Sequence, residues 1–316
     1  MNTSLHIKLI SFHITPANYT KVAELVLFCS MTIKTAYQHL LLELFEMYSD
    51  REAANIADMM IEAVTGFNKI NRIMHPEIIL NKEQISLLQQ YSNELAHYKP
   101  VQYVLQNAWF YGLPFFVNES VLIPRPETEE LIAWLLDSTK QYTHPISVLD
   151  IGCGSGCIAV SIKHQRPKFR VSAIDISEKA LTVAKKNATT HLASIDFKNI
   201  DILNNNNWSQ LDSYDCIISN PPYIAWSENE VMAKQVVAFE PHEALFVPDN
   251  NPLLFYTTIA QFAKSHLANN GLLFLEVNEN LAIETAQALY KLGFSTNLKK
   301  DLQGKNRMLQ AKYNFE

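Results

Sequence analysis

The sequence predicts a doubly wound, Rossmann-like α/β fold preceded by a small helical domain. Three observations predict it: short apolar runs alternate with helical segments in the second half of the chain, a glycine-rich turn follows the first of these runs, and the preceding apolar residues recur at helical spacing. At 316 residues the chain is long enough for two domains, and a hydrophobic content of 48% suffices for a buried core.

Residues 1–30 are predicted to be an extension outside the folded domains. The apolar run Val22–Cys29 is interrupted by Glu24, and no stretch reaches the roughly 18 apolar residues of a membrane span. Met31 opens the first segment with helical character. We therefore expect neither a signal peptide nor a membrane partner.

Residues 31–108 predict a helical domain. Apolar residues recur at helical spacing from Ala36 to Val64, Gly66 suits a helix C-terminus, and Asn81 followed by Gln84 suits a capped N-terminus. The simplest role for this domain is substrate docking, and a helical unit that only packs on its neighbour fits the composition equally well.

Residues 109–130 predict a hairpin and linker, because aromatic and β-branched residues alternate there with glycine and proline. The α/β domain follows at 131–316. Its apolar runs predict a mainly parallel sheet, with strands at Ser147–Ile151, Arg170–Ile174, Cys216–Ser219 and Leu272–Val277.

A glycine loop follows the first predicted strand. It reads Gly152-Cys153-Gly154-Ser155-Gly156, and Asp150 precedes it. A dinucleotide fingerprint is Gly-x-Gly-x-x-Gly, whereas here the glycines alternate, and NAD would have to place its pyrophosphate beside the Asp150 carboxylate. Alternating glycines after an acid instead favour S-adenosylmethionine, whose ammonium group Asp150 can attract directly or through water.

Two further acids stand at strand ends. Asp175 ends the second apolar run, where a carboxylate can accept from both ribose hydroxyls. Asp201 and Ile202 follow the third strand, in position to bind the adenine. The predicted cofactor site comprises Asp150, Gly152, Cys153, Gly154, Ser155, Gly156, Asp175, Asp201, Ile202 and Asn220.

The stretch Asn220-Pro221-Pro222-Tyr223 follows the apolar strand that ends at Ser219. Proline fixes φ, removes N–H donors and forces extended backbone on the residue before it. The Asn220 side-chain oxygen and the Pro221 carbonyl can therefore accept from an NH₂ group, while Tyr223 offers an aromatic face. All four residues are predicted to bind the substrate, with Asn220, Pro221 and Tyr223 as catalytic residues.

The charge and the cysteine content of the chain indicate which classes of partner and which compartment are expected. The net charge is −6 with a pI near 5.9 and no block of Lys and Arg, which disfavours stable nucleic-acid binding. The four cysteines are scattered, which fits a reducing cytoplasm. Cys153 and Cys157 lack a second ligand pair nearby, so no metal is expected.

From about residue 33 to 312 the chain resembles the protein-(glutamine-N5) methyltransferases that modify bacterial release factors. Besides the glycine loop and the Asn-Pro-Pro-Tyr stretch, the resemblance includes Lys99–Tyr103, Phe110–Gly112, Val121–Glu129, Phe239–Pro241, Ala244–Phe246, Asp301, Gly304 and Arg307. The segment Val121–Glu129 is its most specific part. The chain departs from the family pattern at Tyr98, Gln106 and Asn278, where glycine is common, and at Val247-Pro248, which replaces a Gly-Gly pair.

The resemblance implies a class I methyltransferase fold and a class I peptide-chain release factor as partner. The substrate would be the glutamine amide of its Gly-Gly-Gln loop, which Asn220 and the Pro221 carbonyl would hold by accepting both N–H bonds, with Tyr223 against the amide plane. Three alternatives remain open: a nucleic-acid amino methyltransferase, a methyltransferase-like binding module without activity, and an NAD-dependent oxidoreductase.

Overall fold

A computed structural model describes residues 31–142 and 144–314. The predicted extension at 1–30 lies outside these residues. The chain divides into two compact units between His97 and Tyr98. This division falls eleven residues before the boundary at 108/109 that the sequence pattern suggested.

The described part of the first unit is helical. Gly66 ends one helix with a left-handed φ of 75°, and Asn81 and Gln84 cap each other at the start of another, as predicted. The apolar side of each long helix is buried, with Ile33, Ala57 and Met60 fully enclosed. The helices are α1 Ile33–Leu44, α2 Asp50–Thr65, α3 Lys69–Met74 and α4 Lys82–Ala96.

The second unit begins with a short helix and a hairpin that pack on the α/β core. Tyr103 is buried among the apolar side chains of Val117, Val121 and Ile123, and its hydroxyl donates to the Val121 carbonyl. These contacts explain why residues 98–108 belong with the second unit. The elements are α5 Val101–Val104, β1 Ala108–Phe110 and β2 Leu113–Phe115.

Tyr98 and Gln106 have φ values of 63° and 51°, in the left-handed region that favours glycine. Both are positions where the sequence departs from the family pattern, which commonly has glycine there. This chain therefore adopts left-handed backbone at both positions with residues other than glycine.

Within the described residues of this unit, a seven-stranded sheet has the order β10-β11-β9-β6-β3-β4-β5. Strands β9, β6, β3, β4 and β5 run parallel, which confirms the predicted doubly wound fold. The strands are β3 Ser147–Ile151, β4 Arg170–Asp175, β5 Ile195–Asn199, β6 Tyr214–Ser219, β9 Leu267–Glu276, β10 Phe294–Lys300 and β11 Asn306–Tyr313.

Helices cover the sheet on both faces, because alternate side chains of each strand point to opposite sides. Val148 joins one apolar cluster and Leu149 the other. The first cluster includes α6 Pro126–Ser138, α7 Cys157–Gln165 and α8 Glu178–Thr190; the second includes α10 Leu254–His266 and α11 Ala282–Lys291. Between them in sequence lie β7 Ile224–Ala225, α9 Lys234–Phe239 and β8 Phe246–Val247.

The antiparallel strands β10 and β11 are absent from the predicted set. Apart from Phe294 and Leu298, β10 is made of polar residues, so it has no continuous apolar run by which to recognise it. Among the described residues, no helix has both the length and the apolar content needed to cross a membrane.

Candidate functional site

A cavity of about 210 Å³ lies at the carboxyl ends of β3, β4 and β6, where ligands bind in open α/β sheets. It brings together eight of the predicted site residues: Gly152, Gly154, Asp175, Asp201, Ile202, Asn220, Pro221 and Pro222. The other predicted residues are not among those that line it: Asp150, Cys153, Ser155, Gly156 and Tyr223.

The glycine loop is held open by backbone hydrogen bonds. The N–H groups of Gly152 and Cys153 both donate to the Ile174 carbonyl at the end of β4, at 2.9 and 3.0 Å. Gly152 and Gly154 have positive φ, and a Cβ at either would meet no atom within 4 Å. The two cavity-lining glycines therefore leave space in which a ligand can approach the backbone.

Gly156 serves packing instead. Its φ is 77°, and a Cβ there would lie 3.0 Å from the Ala184 Cβ of α8. The same helix supplies Asn187, which is buried and donates to the Ser155 carbonyl at 2.9 Å. Cys153 and Ser155 are also buried. This half of the loop is thus fixed against α8 and turned away from the cavity.

Asp175 ties the glycine loop to the end of β4. One carboxylate oxygen accepts from Gly154 N–H at 2.8 Å, and the other from Ser177 N–H at 2.9 Å. Burial raises the pKa of Asp175, against the lowering effect of these two hydrogen bonds. A carboxylate has about four acceptor positions, so each oxygen can still accept from a ligand hydroxyl.

Asp150 is fully buried beneath the loop. Its Oδ2 accepts from Ala159 N–H at 3.1 Å, and Oδ1 has no hydrogen-bond partner. Burial raises the pKa of this carboxyl to about 8. Asp150 is not among the residues that line the cavity, and the prediction that it attracts an ammonium group, directly or through water, stays a prediction.

The cavity is lined by acids. Asp175, Asp201 and Glu243 contribute carboxyl groups, and none of the described residues around it is Lys, Arg or His. Asp201 is partly exposed, and its Oδ1 accepts from Leu203 N–H. Much of the remaining lining is apolar, including Ile151, Ile174 and Phe255. A flat apolar ligand that carries positive charge fits such a surface.

Asn220 stands at the start of a buried hydrogen-bond relay. Its Nδ2 donates to Thr128 Oγ1 at 3.1 Å, and the Thr128 hydroxyl donates to Glu276 Oε2 at 2.6 Å. The Tyr223 hydroxyl donates to Glu276 Oε1 at 3.2 Å. Tyr223 thus reaches the site through Glu276, and the prediction that its ring packs on a substrate amide stays a prediction.

Glu276 is enclosed at the end of β9, with 1% of its surface exposed. Burial raises the pKa of Glu276 to about 7, although hydrogen bonds from Thr128 and Tyr223 and the charge of Arg307 act to lower it. The hydrogen bonds from the two hydroxyl groups therefore stabilise the charged form of Glu276.

Two walls of the cavity are joined by an ion pair between a buried glutamate and a partly exposed arginine. Glu240 is 3% exposed; its Oε1 accepts from Arg125 Nη2 at 2.6 Å and its Oε2 from Ile123 N–H at 3.2 Å. Arg125 lies beside the wall that contains Leu122, and Glu240 precedes the wall that contains Pro241. The pair fixes the spacing of these two segments around the cavity.

The comparisons with known proteins agree with this geometry. Residues 36–105 match the family model described as the PrmC N-terminal domain, and residues 130–245 match the Methyltransferase small domain. A release factor glutamine methyltransferase of Flavobacterium psychrophilum is 38% identical over 286 residues, which covers 90% of this chain and 100% of the relative. The chain belongs to the release factor glutamine methyltransferase family.

Another relative has a similar sequence identity to this chain. The release factor glutamine methyltransferase of Lactococcus lactis is 39% identical over 74% of this chain and 84% of its own length. Among solved structures, the hMettl16 catalytic domain in complex with the MAT2A 3′UTR hairpin 6 has a TM-score of 0.51 and 15% identity. It covers 75% of this chain and 83% of that chain, and it shows a shared fold alone.

Sequence reasoning missed the residues that support the Asn-Pro-Pro-Tyr stretch of this chain. Thr128 and Glu276 are 148 positions apart, so no local spacing connects them. Glu276 could have been noticed, because it is an acid at the end of a buried apolar run. Asn187 gave no comparable signal, since it follows Lys185 and Lys186 in a polar stretch, and Glu243 does not end an apolar run.

Proposed function

We propose that this protein transfers a methyl group from S-adenosylmethionine to the side-chain amide nitrogen of the glutamine in the Gly-Gly-Gln loop of a class I peptide-chain release factor. The nitrogen forms a bond to the methyl carbon, the bond from that carbon to sulfur breaks, and the amide nitrogen then loses a proton to water. The observation that carries the proposal is the Asn220 carboxamide at the edge of an acid-lined cavity.

The cavity suits the methyl donor because its charge and its open glycines match that molecule. Asp175, Asp201 and Glu243 line it without a described basic residue, which favours a ligand with an ammonium and a sulfonium group. When bound, S-adenosylmethionine supplies an electrophilic methyl and a neutral leaving group. In the proposal, Asp175 accepts from the ribose hydroxyls, and Asp201 with Ile202 contacts the adenine.

Asn220 and Pro221 would hold the substrate amide. Because the Asn220 NH₂ group donates to Thr128, its Oδ1 is the end that can accept from a substrate N–H. The Pro221 carbonyl would accept the second N–H, and Pro222 would keep the segment extended. Two acceptors at the nitrogen stabilise the positive charge that develops there during transfer, and they align it with the methyl.

The release factor is proposed as the partner because relatives of this family carry it in their name. The helical unit that includes residues 31–97 is proposed to dock that protein, and the cytoplasm is proposed as the location. The acidic net charge of −6 supports a protein substrate over a stable complex with nucleic acid.

The test is methyl transfer from labelled S-adenosylmethionine. We expect label on a release factor glutamine, located by mass spectrometry, and none on total RNA or DNA. Asn220→Ala should lower kcat by about 100-fold, as removal of a hydrogen-bonding group that stabilises a transition state does.

Asn205→Ala is the matched control, because it makes the same change at an exposed residue of the 3-10 helix Asn205–Gln210. It should leave kcat unchanged. Label on nucleic acid in place of the release factor would favour an amino methyltransferase of nucleic acid. Full activity of the Asn220→Ala protein would contradict the assignment of Asn220.

A further inference from the structure

We propose that Thr128 and Glu276 are positioning residues that fix which end of the Asn220 carboxamide faces the substrate, and that they thereby make the site select a glutamine amide over a glutamate carboxylate. The inference rests on the proposed function and deepens it. Asn220 touches the substrate, whereas Thr128 and Glu276 act through Asn220.

The direction of the relay follows from counting protons. A threonine hydroxyl has one proton and two acceptor positions. When Glu276 is ionised its Oε2 can only accept, so the Thr128 proton lies on the 2.6 Å bond to that oxygen. The Thr128 oxygen can then only accept from Asn220, so the Asn220 NH₂ group turns towards Thr128 and the carbonyl oxygen turns away from it.

Thr128 and Glu276 are both buried, so water does not compete for their hydrogen bonds. Thr128 is 2% exposed and Glu276 is 1% exposed. The second oxygen of Glu276 is taken by the Tyr223 hydroxyl. A carboxylate that receives both hydroxyl protons behaves as an acceptor on each side, which is the condition that orients Thr128.

The orientation has a consequence for the choice of substrate. With Oδ1 presented, Asn220 accepts from a glutamine NH₂ and repels a glutamate carboxylate, which offers no donor at neutral pH. If Thr128 no longer accepts, nothing in the relay holds the Asn220 NH₂ group. The carboxamide can then turn over and donate to a carboxylate.

The test compares two forms of a release factor, the natural form with Gly-Gly-Gln and a form with Gly-Gly-Glu, as ligands of the full-length protein. Equilibrium binding to both is measured for the wild type, Thr128→Val and Thr128→Ser. We expect Thr128→Val to lower the preference for the glutamine form by about tenfold, the value of one hydrogen bond to a charged or buried group. Thr128→Ser keeps the hydroxyl and should retain the preference.

Two further variants test the parts of the relay. Thr128→Ala removes the same hydroxyl with a smaller side chain, and it should shift the ratio as Thr128→Val does. Glu276→Met removes the acceptor that claims the Thr128 proton, so Thr128 can donate to Asn220 Oδ1 and the ratio should fall again. Thr139→Val is the matched control: Thr139 is also 2% exposed, and its hydroxyl donates to the Leu135 carbonyl, outside the relay.

The ratio of the two affinities separates positioning from stability. A variant that unfolds at lower temperature but keeps the wild-type ratio would show a structural role only and overturn the proposal. A ratio that falls equally in Thr139→Val would also overturn it. If the wild type methylates neither factor, the proposed function itself fails; an active wild type with an unchanged ratio in Thr128→Val defeats the relay alone.

Discussion

Asp150 and Glu276 are buried to the same degree, but their hydrogen bonds differ. Both oxygens of Glu276 accept from hydroxyl groups, whereas Asp150 has one backbone donor and one oxygen without a partner. Burial raises the pKa of Glu276 to about 7 and that of Asp150 to about 8. The carboxyl group that accepts more hydrogen bonds, Glu276, is the one that carries the relay to Asn220.

The raised pKa of Asp150 makes the stability of the protein depend on pH. Because the folded state keeps the proton up to about pH 8 and the unfolded chain loses it near pH 4, stability falls as pH rises through this window. The slope is at most about 1.4 kcal/mol per pH unit for one proton. Asp150→Asn carries no such proton, and its Oδ1 can still accept from Ala159 N–H, so we expect a smaller loss of Tm between pH 5 and 8.

Thermal unfolding at pH 5, 6.5 and 8 checks this expectation. Asp212→Asn, which makes the same change at an exposed position, is the control and should follow the wild-type curve. Identical slopes for Asp150→Asn and wild type would contradict a buried, protonated Asp150.

The sequence predicted those site residues that stand next to a recognisable motif or strand end. Asp175 and Asn220 follow apolar strands and line the cavity as expected. Thr128 and Glu276 could not be paired in advance, because the bond between them depends on how α6 packs against β9. Asp150 was recognised as part of the motif, but its depth below the loop is a property of tertiary packing.

The two ends of the glycine loop have different roles: one end lines the cavity, and the other packs against a helix. Gly154 lines the cavity and has open space where a side chain would begin, whereas Gly156 lies against α8. Both have positive φ, so alanine at either costs about 1 kcal/mol of backbone strain. Only at Gly156 is a steric clash added.

We therefore expect Gly156→Ala to lower the stability more than Gly154→Ala, by an additional 1–3 kcal/mol or so. Gly154→Ala should instead weaken the binding of S-adenosylmethionine, because its methyl group occupies space at the cavity. Denaturant unfolding and calorimetric titration with S-adenosylmethionine measure the two effects. Equal loss of stability in both variants, with unchanged donor affinity, would contradict this division of the loop.

Elements were predictable where their side chains are uniformly buried. The strand Ser147–Ile151 was located without error because four of its five residues are buried. The strand Phe294–Lys300 was missed because one face is polar and exposed. Its position is set by pairing with Asn306–Tyr313, a contact that a local apolar pattern does not record.

The whole molecule consists of two units, and all residues that line the cavity belong to the second. The contacts of Tyr103 with the second unit favour a domain boundary near residue 97 over one at 108. The proposed division of labour, with protein docking in the first unit and methyl transfer in the second, can be tested by truncation.

A fragment of residues 98–316 should bind S-adenosylmethionine with an affinity close to that of the full chain and should fail to methylate a release factor efficiently. A fragment that begins at residue 109 loses the buried Tyr103 side chain, and it should be less stable by about 3 kcal/mol or more. Thermal unfolding and calorimetric titration of both fragments provide the measurement. Comparable stability of the two fragments would support a domain boundary at 108/109 instead of 97/98.

The sheet order places Asn306–Tyr313 between Leu267–Glu276 and Phe294–Lys300, although it follows both in sequence. The order of synthesis and the order of assembly therefore differ. When Phe294–Lys300 leaves the ribosome, the strand that pairs with it in the described sheet, Asn306–Tyr313, has not yet been made. The outer edge of Leu267–Glu276 stays unpaired for the same interval. The nascent chain must keep an apolar strand from pairing with other molecules until a hairpin of two later strands arrives to cover it.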